Sequence, residues 1–170
     1  LEFRRVLFRS ELSIAKNIDK TYNVSGYAYT GGGRMITRVE VSTDGGVHWE
    51  LATLDRKEEP TDHGMYWCWT WWDFELKVAD LVGCKEIICR AWDESNMTQP
   101  DHPTWNLMGM GNNQVFRLKV HMEKSSATDE HVFRFEQPTQ PGQLKGGWMT
   151  RLADKPESAG FGKLLEMQDK

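Results

Sequence analysis

The side chains that could do chemistry in this chain are three cysteines and five histidines, and their spacing specifies no site. Cys68, Cys84 and Cys89 are an odd number without a Cys-x-x-Cys pair, which fits neither a disulfide framework nor a zinc site. The free thiols favour a reducing, cytoplasmic setting. The histidines show no i, i+2 or i+4 pairing, so we interpret them as surface or hydrogen-bonded residues. They are His48, His63, His102, His121 and His131.

Two glycine-rich stretches could bind phosphate or calcium, but each lacks the rest of its motif. Gly31-Gly32-Gly33-Arg34 has neither the Gly-Lys-Ser/Thr of a P-loop nor the GxGxxG of a dinucleotide fold. Asp44-Gly45-Gly46 lacks the further acidic ligands of a calcium loop. Both stretches therefore predict tight turns. No local motif sets a Ser or Cys nucleophile beside a His and a carboxylate, so we predict no catalytic residue.

Composition limits the classes of partner. The 170 residues, 39% of them hydrophobic, suffice for one packed domain with tails. A formal charge of -4 argues against a domain that binds nucleic acid by neutralising phosphates. No apolar run approaches the roughly 20 residues that cross a bilayer, so we expect no membrane partner. The eight tryptophans favour a core or a protein interface, with a sugar-stacking platform as the alternative.

The elements that must position these side chains are predicted to be β-strands. Between residues 21 and 121, short runs of β-branched and aromatic residues are separated by Gly, Asp, Asn and Pro. The first strand covers Thr21–Tyr29. Alternation then predicts a half-buried strand with two faces. One face carries Met35, Thr37, Val39 and Val41, and the other carries Ile36, Arg38 and Glu40. Asp44-Gly45-Gly46 closes a hairpin, and the returning strand carries Val47, Trp49, Leu51 and Thr53.

The rest of the predicted sheet structure comes from three further runs. Residues 66–74 carry aromatic side chains at both odd and even positions, which point to opposite faces of a strand. We therefore expect both faces of that strand to be covered. Residues 85–93 and 115–121 bring the count to at least six strands. Their spacing suits an antiparallel β-sandwich better than alternating βαβ units.

The ends of the chain differ in composition from its middle. Residues 1–10 show neither strand alternation nor a helical stripe and look like a translated linker or adapter, so we expect them to be non-native. We predict one domain over residues 11–122 and a C-terminal extension over 123–149 that wraps back onto it. Residues 150–170 are polar, with Pro156, Gly160 and Gly162, and predict a flexible hinge.

Several stretches together resemble one known family. They are GYAYTGGGR at residues 26–34, TRVEVS at 37–42, and Asp44-Gly45-Gly46 followed by Trp49. From about residue 22 to 120 the chain resembles the molybdenum-cofactor oxidoreductase dimerisation domain that sulfite oxidases and assimilatory nitrate reductases share. That resemblance implies an all-β, immunoglobulin-like antiparallel sandwich with a C-terminal extension.

Other stretches are more similar to the nitrate reductase branch. They are YWCW at residues 66–69, RAWD at 90–93, NMTQP at 96–100, WNLMGM at 105–110, Asn112-Asn113, EQPTQPG at 136–142 and GGWM at 146–149. Gly111, where the family usually has Met, and the variable residues 70–72 depart from the pattern. The tail after Trp148 lacks the Arg-x-x-Ser-x-Pro phosphorylation motif of plant hinges, so the resemblance implies no regulation through such a serine.

The resemblance implies a parent enzyme that reduces nitrate to nitrite at molybdenum, with electrons passing from NAD(P)H through FAD and a b-type haem. The molybdopterin-molybdenum centre and its cysteine ligand would belong to a preceding domain, and a haem domain would follow. This chain would itself bind no cofactor. It would contribute a homodimer face and a surface against the molybdenum domain.

The resemblance also implies site residues. Met108 and Asn106 would lie at the edge of the substrate pocket in the assembled enzyme, because the sulfite oxidase branch has a pocket arginine at the position of Met108. Candidates for the dimer or inter-domain interface are Trp105, Met110, Asn112, Asn113, Arg34 and Arg38. Two alternatives remain open: a sulfite oxidase-type dimerisation domain, and a free-standing immunoglobulin-like binding module that uses exposed tryptophans.

Overall fold

The structure, a computed structural model, describes residues 2–7, 11–105, 107–108, 113–125, 128–139, 141–144 and 147–149. Within these ranges the strands, in chain order, are β1 (Glu2–Leu7), β2 (Glu11–Ser13), β3 (Thr21–Tyr29), β4 (Ile36–Ser42), β5 (Glu50–Leu51), β6 (Thr53–Arg56), β7 (Thr70–Lys77), β8 (Glu86–Asp93), β9 (Phe116–Lys124) and β10 (His131–Glu136). A four-residue helix, α1 (Ile14–Asn17), follows β2, and a 3-10 turn (Val78–Leu81) follows β7.

The strands form two antiparallel sheets. One has the order β1-β3-β7-β6 and the other has the order β2-β10-β9-β8-β4-β5. Their inner faces enclose one core, to which Trp72 and Phe74 contribute from the first sheet and Val39, Leu118 and Phe133 from the second. The predicted all-β, immunoglobulin-like sandwich is therefore confirmed.

A β-bulge in β4 changes the predicted alternation. The pairing with β8 steps from Ile36 opposite Asp93 to Arg38 opposite Trp92, so Thr37 is an extra residue on β4. The bulge turns Ile36 into the core together with Val39 and Val41. The prediction that Ile36 shares a face with Arg38 and Glu40 was wrong.

The predicted returning strand is divided between the two sheets. β5 pairs with β4 and closes the predicted hairpin, whereas β6 pairs with β7 in the opposite sheet. The switch occurs at Ala52, whose N–H donates to the carbonyl of Val39 at 2.9 Å. One residue therefore carries the chain across the sandwich.

Strand β7 has one covered face and one open face. Its buried side chains are Thr70, Trp72, Phe74 and Leu76, and the residues between them are exposed. The expectation that both faces are covered was wrong for this chain. Residues 66–69 lie before the start of the strand. Trp71, on the outer face, is 42% exposed.

The tail enters the six-stranded sheet. The predicted boundary at residue 122 falls inside β9, and β10 pairs with β9 on one side and β2 on the other. The sequence pattern predicts no strand in residues 1–10, whereas β1 pairs with β3, with an irregular register between Arg4 and Leu7. That these residues are non-native stays a prediction, and the predicted hinge, 150–170, lies outside the described residues. No described helix is long and apolar enough to span a membrane.

Candidate interface site

Three loops meet at one end of the sandwich, which we call the loop end. They are residues 30–35 after β3, residues 57–69 after β6, and the described residues between β8 and β9, namely 94–105, 107–108 and 113–115, which we call the 94–115 loop. Antiparallel pairing brings them together, because Ile36 lies opposite Asp93 and Ala28 lies opposite Thr70. The N–H of Tyr66 donates to the carbonyl of Gly33 at 2.8 Å and joins the first two loops directly.

The carboxylate of Asp93 holds the loop end together. Its Oδ1 accepts hydrogen bonds from the Ser95 amide and hydroxyl, at 2.9 and 2.6 Å, and from the Met97 amide at 3.0 Å. Its Oδ2 accepts from Thr30 Oγ1 and Arg34 Nε, each at 3.1 Å. Burial alone would raise the pKa of Asp93, which is 1% exposed, but these donors lower the pKa below its usual range. Asp93 is therefore an ionised anchor for two loops.

The first turn of the 94–115 loop has further fixed points. Asn96 adopts the left-handed conformation, with φ of 58°, which Asn tolerates better than most residues. The side chain of Gln99 is buried, and its Oε1 accepts the amide of Ala91 at 2.8 Å. At the other end of the loop, the Val115 amide donates to the carbonyl of Pro100 at 3.0 Å. The base of the loop is thus tied to β8 and β9.

The same loop presents large apolar side chains to solvent. Met97 is 61% exposed, Trp105 83%, Leu107 86% and Met108 72%. Two predicted site residues, Trp105 and Met108, therefore lie on one loop with their side chains uncovered. Asn113 is also exposed, whereas the predicted residues Asn106, Met110 and Asn112 lie outside the described residues.

The structure separates the two predicted interface arginines. Arg34 belongs to the loop end through Asp93, and its side chain is 44% exposed. Arg38 lies on the outer face of β4, where its guanidinium stacks on Trp92 at 4.3 Å and donates to Glu40 at 2.9 Å. The two arginines therefore have different partners, Asp93 and Trp92, which are adjacent on β8.

Glu40 is the centre of a cluster that sequence reasoning missed. Besides Arg38, it accepts hydrogen bonds from Arg90 Nε at 2.5 Å and Trp92 Nε1 at 2.9 Å. Burial would raise the pKa of Glu40, but the bonds from Arg90, Trp92 and Arg38 lower it overall. Arg90 also stacks over Trp49 at 3.8 Å. The spacing of two residues on each strand indicated that Arg38 and Glu40 share a face, as do Arg90 and Trp92. Only the pairing of β4 with β8 brings the two faces together.

The remainder of that outer face carries ion pairs. Arg117 pairs with Glu86 at 2.5 Å and also with Asp101, and Lys119 pairs with Glu136 at 3.0 Å. Two further contacts are His121 with Glu136 at 3.1 Å and Arg134 with Glu11 at 3.2 Å. The six-stranded sheet is therefore polar and largely self-paired on its outer side.

The outer face of the four-stranded sheet is different, because four aromatic side chains cluster there. We call Tyr27, Tyr29, Trp69 and Trp71 the aromatic patch. Tyr27 packs edge-on against Trp69, with ring centroids 4.8 Å apart, and against Trp71 at 5.3 Å. Tyr29 meets Trp69 at 5.4 Å. The patch was not predicted from the sequence. The signal for it was present, because Tyr27 and Tyr29 are two residues apart, as are Trp69 and Trp71, and side chains at this spacing share one face of a strand.

The three thiols differ in burial and in pKa. Burial raises the pKa of the Cys89 thiol and raises the pKa of Cys84 to about 11. Cys68 is exposed, and its hydrogen bond to the Glu58 carboxylate raises its pKa. In the described part of the chain, no group of three or more His, Cys, Asp or Glu side chains is arranged to hold a metal ion.

Comparisons with known proteins identify relatives of this chain. The family model for the Mo-co oxidoreductase dimerisation domain matches residues 8–123. A nitrate reductase [NADH] from Cichorium intybus is 53% identical over 132 residues, which cover 78% of this chain and 14% of that protein. One from Hordeum vulgare is 51% identical, with the same coverage of each chain.

A third relative and a solved structure extend the comparison. Nitrate reductase [NADH] 1 from Phaseolus vulgaris is 46% identical over 145 residues, covering 85% of this chain and 16% of that protein. The chain thus spans 14 to 16% of the length of these relatives. The sulfane dehydrogenase SoxCD from Paracoccus pantotrophus aligns with a TM-score of 0.42 and 22% identity, over 75% of this chain and 32% of that one. That likeness is too weak to carry an argument.

Proposed function

Because this chain belongs to the Mo-co oxidoreductase dimerisation domain family, we propose that it is the homodimerisation module of a molybdenum-dependent nitrate reductase. The observation that carries the proposal is the family match over residues 8–123 together with about 50% identity to proteins named nitrate reductase. The parent enzyme reduces nitrate to nitrite in the cytoplasm. Its electrons come from NAD(P)H through FAD and a b-type haem, and a haem domain follows this one.

The molybdenum centre of the parent belongs to another domain. A cysteine binds a metal as its thiolate, and the raised pKa values of Cys68, Cys84 and Cys89 disfavour that form. This supports placing the cysteine ligand of the metal in the preceding domain. This module acts on the reaction only through the surfaces it offers to its neighbours.

The loop end is the surface that abuts the preceding molybdenum domain. Its support is the row of uncovered apolar side chains on the 94–115 loop, since exposed apolar groups of this size mark contact sites. Asp93 and Arg34 hold the base of that loop in one conformation before the contact forms. A loop fixed in advance loses less conformational entropy on docking.

Within that contact, Met108 lines the edge of the substrate pocket, with Asn106 two residues before it in the chain. The 72% exposure of Met108 supports this role, because a side chain packed in the sandwich core would be covered. An apolar side chain there favours the weakly hydrated nitrate ion, whereas an arginine would favour the doubly charged sulfite.

Dimerisation is tested by light scattering on the purified chain across a range of concentrations. We expect a two-fold dimer at tens of micromolar, by the affinity that an interface of ordinary size provides. A strict monomer of this chain would contradict a module that pairs by itself, and a strict monomer of the parent protein as well would contradict the dimerisation function.

The Met108 assignment is tested by Met108→Arg in the full-length parent enzyme. We expect nitrate turnover or its KM to change by at least about tenfold, which corresponds to roughly 1.4 kcal/mol. The matched control is Met122→Arg, a change of the same type at a residue on β9 that is 62% exposed and lies outside the loop end. Unchanged nitrate kinetics in an intact Met108→Arg dimer would remove the pocket assignment.

A further inference from the structure

We propose that the end of the sandwich opposite the loop end binds a small organic oxyanion, that is, a carboxylate or a phosphate ester. A groove of about 780 Å³ lies there, lined by residues 43–45, 83, 85–86 and 119–121, and we call it the end groove. β4 runs away from the loop end and β8 runs toward it, so the residues after β4 and those before β8 meet at this end. The site is independent of the proposed dimerisation function and goes beyond it.

The end groove has the size of a ligand site. Pockets that hold small molecules occupy roughly 300 to 1,000 Å³, and the end groove lies within that range. Gly45 and Gly83 form part of its lining, with φ of 79° and 85°. A Cβ added to either glycine would meet nothing within 4 Å. A ligand can therefore approach the backbone closely at both positions.

Hydrogen-bond donors are in excess in the end groove. Lys85 is exposed, and no described residue forms an ion pair or a hydrogen bond with its ammonium group. The Lys119 ammonium contacts Glu136 at 3.0 Å and is 60% exposed, so further donors remain on it for a ligand. The hydroxyl of Thr43 likewise has no partner in the part of the chain that the structure describes.

The carboxylates at the end groove are already matched within the chain. Asp44 accepts hydrogen bonds from the hydroxyl and amides of its own turn, and its Oδ2 lies 2.6 Å from Nδ1 of His48. These bonds lower the pKa of Asp44 below its usual range. Glu86 pairs with Arg117 at 2.5 Å. The groups left without a partner are therefore donors, and their complement is a ligand rich in acceptors and negative charge.

The position of Asp44 decides which part of the end groove holds the charged group. Asp44 lies in the β4–β5 turn and would repel an anion placed beside it. Lys85 lies across from β9, where its carbonyl accepts the Val120 amide at 2.8 Å, and Lys119 is the next residue on that strand. The oxyanion therefore sits between Lys85 and Lys119, and the rest of the ligand extends toward Thr43.

Other classes of ligand suit the end groove less well. Val120 is the one aliphatic side chain among the lining residues, and it is 5% exposed, so an apolar molecule would bury little apolar area. A cation would meet the unpaired ammonium of Lys85 and carboxylates that already accept hydrogen bonds. Because both lysines are exposed, water and salt weaken their attraction for an anion. We expect a Kd on the order of 1 mM for a small oxyanion.

The test is a titration of the isotope-labelled 170-residue chain, followed by amide chemical shifts in two-dimensional NMR. Inorganic phosphate and succinate are the two probes, at pH 7 and constant ionic strength, and sodium chloride alone is the reference. We expect saturable shifts of the Lys85 and Lys119 amides with at least one probe. The variant is Lys85→Glu, which should weaken binding by at least about tenfold, because an attraction is replaced by a repulsion.

The matched control is Lys124→Glu, which changes the net charge by the same amount on β9. Lys124 is 57% exposed and lies outside the end groove, so its variant should stay within about twofold of the wild-type Kd. The dispersion of the amide signals shows that each variant is folded, and Lys85→Gln replaces Lys85→Glu if it is not.

The two probes identify the head group. A response to phosphate alone supports a phosphate ester, a response to succinate alone supports a carboxylate, and a response to both supports a general oxyanion site. The proposal is overturned if neither probe gives saturable shifts at the end groove, or if sodium chloride alone gives the same shifts. It is also overturned if Lys85→Glu binds as the wild type does, or if both variants weaken binding equally.

Discussion

Replacing Asp93 with alanine should loosen the loop end selectively. The carboxylate is 1% exposed and accepts five hydrogen bonds, from two groups of Ser95, the Met97 amide, the Thr30 hydroxyl and Arg34. Asp93→Ala removes both acceptor oxygens and so all five hydrogen bonds. Thr30 is itself 2% exposed, so its hydroxyl cannot turn to bulk water instead.

The expected cost is about 2 to 4 kcal/mol of unfolding free energy. A buried donor left without an acceptor costs roughly 1 to 3 kcal/mol, and the Thr30 hydroxyl is such a donor. The Met97 amide, in a residue that is 61% exposed, adds about 1 kcal/mol for its lost hydrogen bond. The Arg34 contact adds less than about 1 kcal/mol, because its guanidinium is 44% exposed and water screens the pair. The matched variant Arg34→Ala should therefore lose under about 1 kcal/mol.

The assay is urea unfolding of the wild type and both variants, followed by tryptophan fluorescence, together with amide hydrogen exchange. In Asp93→Ala the Ser95 and Met97 amides should exchange faster, while the amides of β3 in the core remain protected. A stability loss below about 1 kcal/mol, with both loop amides still protected, would refute the role of Asp93 as the anchor.

The pH dependence follows from the lowered pKa of Asp93. A carboxyl group with a folded pKa below its unfolded value of about 3.9 contributes stability that is fully present above that value. The contribution is lost as the pH falls from there toward the folded pKa. The stability gap between wild type and Asp93→Ala should therefore be constant near neutral pH and should shrink below about pH 4.

Two other outcomes are expected. Gly26→Ala should destabilise the fold by about 1 to 3 kcal/mol in urea unfolding, because its Cβ would lie 2.5 Å from Cζ2 of the fully buried Trp72. Gly31→Ala, with nothing within 4 Å, is its control, and equal losses would contradict the overpacking argument. In thiol labelling at pH 8, the exposed Cys68 should react first and the buried Cys89 only after denaturation. Labelling of Cys89 in the folded chain would contradict its burial.

Sequence patterns predicted the strands wherever a local signal was sufficient. β3 begins and ends where its run of β-branched and aromatic residues does, and Asp44-Gly45-Gly46 does close a hairpin between β4 and β5. The bulge at Thr37 and the change of sheet at Ala52 could not be predicted in the same way. Both depend on which strand pairs with which, and that is decided by contacts distant in sequence.

The same limit applies to the tail. The apolar patch at residues 132–135 indicated a segment that returns to the domain. Its place between β9 and β2 depends on pairing with Glu11–Ser13, at the other end of the chain. Residue spacing within the tail contains no information about that partner.

The candidate site was predictable only where a motif carried it. Arg34 and Met108 came from the family resemblance, and the structure places one at the loop end and the other on its exposed loop. Asp93 was missed because its partners Thr30 and Arg34 are 63 and 59 residues away. The pairing of Tyr27 with Trp71 was hidden for the same reason, and a lone aromatic on a strand usually indicates core packing.

The crossing at Ala52 has a mechanical consequence for an assembled protein. Sliding one sheet past the other by a single residue, about 3.3 Å, would drag this one-residue link and break its hydrogen bond to Val39. The two layers are therefore pinned against shear. A neighbouring domain held at the loop end would therefore keep a constant angle to both sheets, so this module would serve as a rigid bracket and not as a flexible tether.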